Sequence, residues 1–264
     1  MPTFERAGRT VHYLDVGRGP AVLLLHAFPL SASMFAPQID ALAGRYRILA
    51  PDLPGFGQSD GGGTATEMTL LAEDARALLE HASVARAVVG GVSMGGYATL
   101  ALLGRAGDLL QGIVLADTQP YPDDEAGKAR RQQTAKDVLE KGTAAFAESM
   151  SRRLVSPAAT EALVAQVRGM ILQNSPAAIA AASLGMAHRS DTREALSAYR
   201  GPALVIFGEA DDFAPRARQE EMAKLAPGAR LKMIPRAGHL SNLEAPAEFN
   251  AALEEFLAYC WQTT

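Results

Sequence analysis

The sequence predicts an α/β protein, a mostly parallel sheet of eight strands flanked by helices, with a helical insertion set over the sheet's carboxyl edge. Three observations carry this. Short, continuous apolar runs recur along the chain, as strands buried on both faces require. Longer amphipathic runs separate them, the alternation that builds a parallel sheet. Between Gln119 and Tyr199 the alternation stops, and Ala-rich, charge-rich helical sequence follows with no strand in it.

Taken in order, Thr10 to Val16 alternates in character after a turn at Gly8, and pairs with the segment before it as an antiparallel hairpin. Ala21 to Leu25, Arg47 to Ala50 and Ala87 to Gly90 read as buried strands. Ile113 to Ala116, Ala203 to Phe207 and Arg230 to Ile234 complete the series, with Met68 to His81 and Gly95 to Arg105 as intervening helices. Within the insertion the pattern predicts helices over Glu125 to Lys141, Ala144 to Arg153, Pro157 to Leu172 and Pro176 to His188, with Thr192 to Tyr199 leading back. The expected division is a core of residues 1–118 and 200–264 and a cap of residues 119–199. Added stability would explain such an insertion. Its place over the edge where open α/β sheets bind ligands favours a lid over a pocket.

A chain of 264 residues is long enough for one large core and one insertion. No apolar run reaches membrane-spanning length, and Met1 to Arg6 lacks the basic and apolar segments of a signal peptide, so a cytoplasmic location is expected. Cys260 is the only cysteine, which excludes an intramolecular disulfide and a thiolate metal cluster. Lys and Arg number 25 against 29 Asp and Glu, with no dense basic stretch, which argues against nucleic acid as a partner. A small molecule is the expected partner, with no cofactor and no metal, because no histidines stand at ligand spacing.

Gly91-Val92-Ser93-Met94-Gly95 carries the chemistry. Gly-x-Ser-x-Gly is common by chance, but here an apolar run, Ala87 to Val89, precedes it, Gly90 and Gly91 supply a turn, and a helical run from Tyr97 follows. That is the setting of a nucleophile elbow, in which small residues two before and two after the serine allow a strained turn. A serine hydroxyl needs a general base, usually a histidine oriented by a carboxylate. The strand ending at Phe207 runs into Gly208-Glu209-Ala210-Asp211-Asp212, and the strand ending at Ile234 into Ala237-Gly238-His239. Both candidates therefore follow strands, in the order serine, acid, histidine.

Ser93-Met94-Gly95-Gly96, Gly208 to Asp211 with Pro215, and Ala237 to His239 with Glu244 and Pro246 resemble the three catalytic blocks of the α/β-hydrolase superfamily, over nearly the whole chain. The nearest likeness is to small bacterial esterases, enol-lactonases of the 3-oxoadipate type and cofactor-free haloperoxidases. The resemblance implies Ser93, Asp211 and His239 as the triad, with Asp212 a lesser candidate for the acid. It also implies an oxyanion hole. Met94 supplies one backbone N–H by following the nucleophile, and His26-Ala27-Phe28-Pro29, similar to the family's His-Gly-x-Pro block, supplies a second from Phe28. Ala27 stands where the family usually has glycine, a small hindrance that the hole is expected to survive.

Other polar residues have structural explanations. By the same resemblance His26 organises its loop, and Asp52, in a turn similar to the family's Asp-x-x-Gly-x-Gly-x-Ser, organises loops and not protons. His12, His81 and His188 read as structural or solvated, and Glu244 as a loop ligand. Pocket candidates are Phe28, Pro29, Phe146, Met150, Phe213 and Leu240, with Met94, Met170 and Leu184 also considered, and no charged clamp for an anionic substrate stands out. The expected activity is hydrolysis of small carboxylic esters through an acyl-enzyme. Lactonase and perhydrolase activities are alternatives on the same machinery. A non-catalytic binding protein is the reading from a different class, opposed by the complete triad.

Overall fold

Burial separates the central strands from the edge ones. In the computed structural model, which describes residues 1–61, 63–105 and 109–262, the chain forms β1 (Thr3–Arg6), β2 (Arg9–Val16), β3 (Ala21–Leu25), β4 (Arg47–Pro51), β5 (Ala87–Val92), β6 (Leu110–Ala116), β7 (Ala203–Gly208) and β8 (Arg230–Ile234). Every residue of β3, β5, β6 and β7 is buried, and these segments are apolar except for Gln111 in β6, whose side chain donates to the Cys260 carbonyl, whereas β2 and β8 mix buried and exposed positions. The sheet order is β1-β2-β4-β3-β5-β6-β7-β8. β1 and β2 form the antiparallel hairpin, β2 runs antiparallel to β4, and every later pairing is parallel.

The helices are α1 (Ala36–Leu42), α2 (Met68–His81), α3 (Met94–Leu103), α4 (Glu125–Arg153), α5 (Glu161–Leu172), α6 (Pro176–Ala187), α7 (Arg193–Ala198), α8 (Arg216–Leu225), α9 (Ser241–Glu244) and α10 (Pro246–Gln262). α2 buries Leu71, Ala75, Leu78 and Leu79, positions one face of a helix brings together. Both oxygens of its buried Asp74 accept from one guanidinium nitrogen of Arg9, at 3.0 and 2.8 Å, which ties α2 to β2. Four helices, α4 to α7, lie between β6 and β7. No helix among the described residues is long and apolar enough to cross a membrane.

Glycines explain where the strands outrun the sequence pattern. β5 continues through Gly90 and Gly91 to Val92, because these glycines are strand positions under tight packing and not the turn itself. A Cβ on Gly90 would come to 2.9 Å from that of Val114. β6 begins at Leu110 and passes through Gly112, where a Cβ would meet the Cys260 sulfur of α10 at 2.8 Å. In the insertion, the two helices expected on either side of residues 142 and 143 are the arms of α4, broken at Gly142 with φ of 80°. α5 starts at Glu161 and not at Pro157, since the Thr160 hydroxyl accepts from the Leu163 N–H and caps the helix there.

α10 covers one face of the sheet with Phe249, Leu253, Phe256 and Leu257, all buried. Phe256 is 1% exposed, so Phe256→Ala leaves a cavity beneath β6. It is expected to cost about 3–5 kcal/mol, read as a lower midpoint in urea denaturation; an unchanged midpoint would show that α10 does not support the core.

Candidate active site

Parallel strands present their carboxyl ends on one edge, where the predicted site residues follow four of them and Asp117 follows a fifth. Phe28 follows β3, Ser93 follows β5, Asp117 follows β6, Asp211 follows β7 and His239 lies in the loop after β8. β3 and β5 are neighbours at the point where the strand order reverses, so the Phe28 loop and the start of α3 converge there.

Ser93 has φ 54° and ψ −111°, a conformation costly for a non-glycine residue. Close packing holds it. A Cβ on Gly91 would run into the carbonyl of Gly95, and one on Gly95 into the carbonyl of Leu25, so both positions must be glycine for the turn to close against β3. The Ser93 N–H donates to the Ala116 carbonyl at 2.8 Å, and the Thr118 hydroxyl donates to the Ser93 carbonyl at 2.8 Å. Met94 opens α3 directly after the serine, placing the positive end of that helix at the hydroxyl.

The Ser93 hydroxyl lies 2.8 Å from His239 Nε2, and His239 Nδ1 lies 2.8 Å from Asp211 Oδ2. A carboxylate only accepts, so Nδ1 carries the proton and Nε2 is left to accept from the serine. Asp211 Oδ1 accepts from the N–H groups of Phe213 and Ala214, at 2.8 and 3.2 Å, which fixes the carboxylate. Burial pulls the pKa of His239 down. The charge and hydrogen bond of Asp211, helped by the charge of Asp117, outweigh it and leave the imidazole above its ordinary value.

Asp117 belongs to none of the catalytic sequence blocks, although it too is a carboxylate at the end of a buried strand. It is fully buried at φ 48°. One oxygen accepts from the Gly208 N–H at 2.8 Å, the other from the Ser241 hydroxyl at 2.6 Å, so a single side chain ties the acid loop to the histidine loop. Burial and the nearby Asp211 push its pKa up to about 8. Asp212 points into the cleft with no hydrogen bond to the imidazole, unlike Asp211.

The remaining sequence-selected groups organise loops. His26 is buried, donates from Nδ1 to the Ala27 carbonyl and accepts at Nε2 from Leu53 N–H; burial lowers its pKa. Asp52 accepts from Ala32 and Gln58 N–H groups. Glu244 accepts from Gly238 N–H and Ser156 N–H, each at 2.8 Å, joining the histidine loop to the segment after α4. His81 stacks on Phe4, and Ala27 fits fully buried.

Above Ser93 lies a cleft of about 470 Å³ whose lining includes Phe28, Met150, Phe213 and His239. Pro29, Phe146 and Leu240 are set back from it. The Pro29 carbonyl accepts from Asn174, Phe146 packs edge-on against Phe28 at 6.0 Å, and Leu240 is wholly in the core. Met94 is buried under the elbow, and Met170 and Leu184 pack against the core. No charged clamp stands out in the sequence, yet both arms of α4 bring arginines to the wall, Arg130 and Arg131 from the first and Arg153 from the second. Among the described residues no group of three His, Cys, Asp or Glu side chains is placed to hold a metal ion.

Comparison with known proteins places this geometry. The α/β hydrolase fold family matches residues 20–246. The chain belongs to that family. It is a hydrolase, similar along its whole length to solved relatives. A thermophilic esterase from Thermogutta terrifontis, solved with malate bound, is 35% identical with a TM-score of 0.93, covering 98% of this chain and 97% of its own. The enol-lactonase from Burkholderia xenovorans LB400 is 27% identical with a TM-score of 0.91, covering 97% and 100%. In sequence, a pimeloyl-(acyl-carrier protein) methyl ester esterase from Aeromonas hydrophila is 26% identical over 91% of this chain and 96% of its own.

Asp117 gives a test of the site's electrostatics. Its carboxyl ionises near 3.8 in an ordinary setting and near 8 when folded, so its burial favours the fold fully below pH about 4 and progressively less up to pH 8. Asp117→Asn does not titrate. The melting temperature of the variant minus that of the wild type should therefore rise from pH 5 to pH 8; a difference independent of pH would mean that Asp117 is already ionised at pH 5.

Proposed function

We propose that the protein is a serine carboxylic ester hydrolase in which Ser93 is the nucleophile, His239 the general base and Asp211 the group that orients it. The hydrogen-bonded chain from Ser93 through His239 to Asp211 at the foot of the cleft supports this reading most directly. As Ser93 Oγ attacks the ester carbonyl, its proton passes to His239 Nε2, and the imidazolium is stabilised by the Asp211 carboxylate. Negative charge gathers on the former carbonyl oxygen, where the backbone N–H groups of Phe28 and Met94 form the oxyanion hole. One such donor is worth roughly 10²–10³ in kcat. The tetrahedral intermediate collapses, the alcohol leaves with the proton from His239, and the acyl group stays on Ser93. Water, deprotonated by the same imidazole, then releases the acid and restores the serine.

The same steps open a lactone, with the difference that the leaving alcohol stays attached to the acyl group. The enol-lactonase, similar over the full chain at 27% identity, favours this second reading. In either case residues 119–199 act as a cap on a core of residues 1–118 and 200–264, with Phe28, Met150 and Phe213 as the apolar surface that meets substrate. A cytoplasmic setting suits a chain whose single cysteine is buried and forms no disulfide.

Ser93→Ala is expected to lower kcat on p-nitrophenyl acetate roughly 10⁶-fold without changing the melting temperature. Retained turnover would remove Ser93 from the mechanism. Hydrolysis needs neutral His239, so kcat/KM should fall as pH drops through the raised imidazole pKa. Asp211→Asn removes the charge that raises it, so the acid limb should move to lower pH while the plateau falls; an unmoved limb would show that Asp211 does not act on His239.

A further inference from the structure

The cleft wall carries more positive charge than a neutral ester requires. Asp123 is shared between two guanidinium groups, accepting from buried Arg189 at 2.7 Å and from Arg131 at 3.2 Å, so this cluster keeps one positive charge in excess. Asp137 is held by Lys141 and Gln133, each at 3.0 Å. Among the described residues neither Arg130 nor Arg153 has a carboxylate partner, although both line the cleft with Ser93. Among the described residues, Asp212 is the one lining carboxylate without a salt-bridge partner. The lining itself holds three arginines and three aspartates, so what distinguishes it, in a chain of net charge −4, is two guanidinium groups without a carboxylate partner.

Arg153 is also placed. Its guanidinium lies over the Phe213 ring at 5.1 Å, and that ring stands 4.7 Å from the His239 ring. A cation held on an aromatic face keeps its outward N–H donors free for a planar, bidentate acceptor. We propose that Arg130 and Arg153 form a carboxylate-binding subsite, and that the ester or lactone hydrolysed at Ser93 carries an ionised carboxylate besides its scissile bond. The proposal rests on the Ser93 hydrolase reading. It assigns the cap a chemical role: the arginines come from the two arms of α4, which the break at Gly142 turns toward one cleft.

The test compares charged esters with neutral carboxamide analogues of the same size. Monomethyl glutarate against monomethyl glutaramate puts the charge on the acyl side, and O-acetylglycolate against O-acetylglycolamide puts it on the alcohol side. At low salt, kcat/KM should favour the charged member at least tenfold in one pair, which identifies the side. That ratio should approach one in Arg130→Met/Arg153→Met, fall with added salt in the wild type, and rise in Asp212→Asn. A ratio of one or less in both pairs, or a preference untouched by the double variant and by salt, overturns the subsite. Where none of the four esters turns over, labelling of Ser93 by a fluorophosphonate probe decides. Protection by glutarate but not by glutaramide supports the subsite, and equal protection overturns it. An enzyme that hydrolyses nothing and leaves Ser93 unlabelled fails the hydrolase reading, and the subsite with it.

Discussion

A serine at φ 54° and ψ −111° does not hold its own conformation, and the arrangement around Ser93 exists to hold it. β5 must run level with β3 for α3 to start against the Leu25 carbonyl, and this is possible only with glycine at 91 and 95. The bonds from Ser93 N–H to Ala116 and from Thr118 to the Ser93 carbonyl then pin the turn to β6. The strain is local, while its compensation comes from the whole parallel sheet. Once the turn is fixed, the hydroxyl, the helix terminus at Met94 and the Phe28 loop share one edge, and the loops after β7 and β8 need only reach it.

They reach it together because Asp117 joins them. Its two oxygens grip Gly208, three residues before Asp211, and Ser241, two residues after His239. Asp211 and His239 are thus positioned by one buried carboxyl as well as by their own hydrogen bond. That carboxyl lies where a second negative charge beside Asp211 is costly, which raises its pKa and makes it more than a passive strut. The cap is fastened to the same edge: Asn174 bridges the Pro29 carbonyl and Gly57 N–H, Glu244 joins Gly238 to Ser156, and Phe146 leans on Phe28. The helices that wall the cleft are therefore tied to the loops that carry Phe28 and His239.

What could be read from the sequence follows from how local each constraint is. The strands were legible because burial on both faces demands unbroken apolar runs. Ser93, Asp211 and His239 were legible because each stands at a fixed offset from a glycine or a strand end. Gly90, Gly91 and Gly112 misled the strand ends, since a glycine that admits a neighbouring side chain looks the same in sequence as one that makes a turn. Asp117 had a signal, an acid closing the run Ile113 to Ala116, but nothing in the chain marks the partners 91 and 124 residues away. Arg130, Arg131 and Arg153 had none: on a charged helix, arginines facing a cleft have the same spacing as arginines facing water. Pro29, Phe146 and Leu240 show the converse, since apolar residues near a motif more often fill the wall than line it.

The proposed mechanism requires that an acyl group be carried on Ser93 between the two halves of the reaction. Rapid-quench mass spectrometry during hydrolysis of a p-nitrophenyl ester measures this directly. A transient mass increase equal to the acyl group is expected on the peptide containing Ser93, forming and decaying at rates consistent with turnover. Turnover with no adduct, or an adduct on another residue, would contradict it.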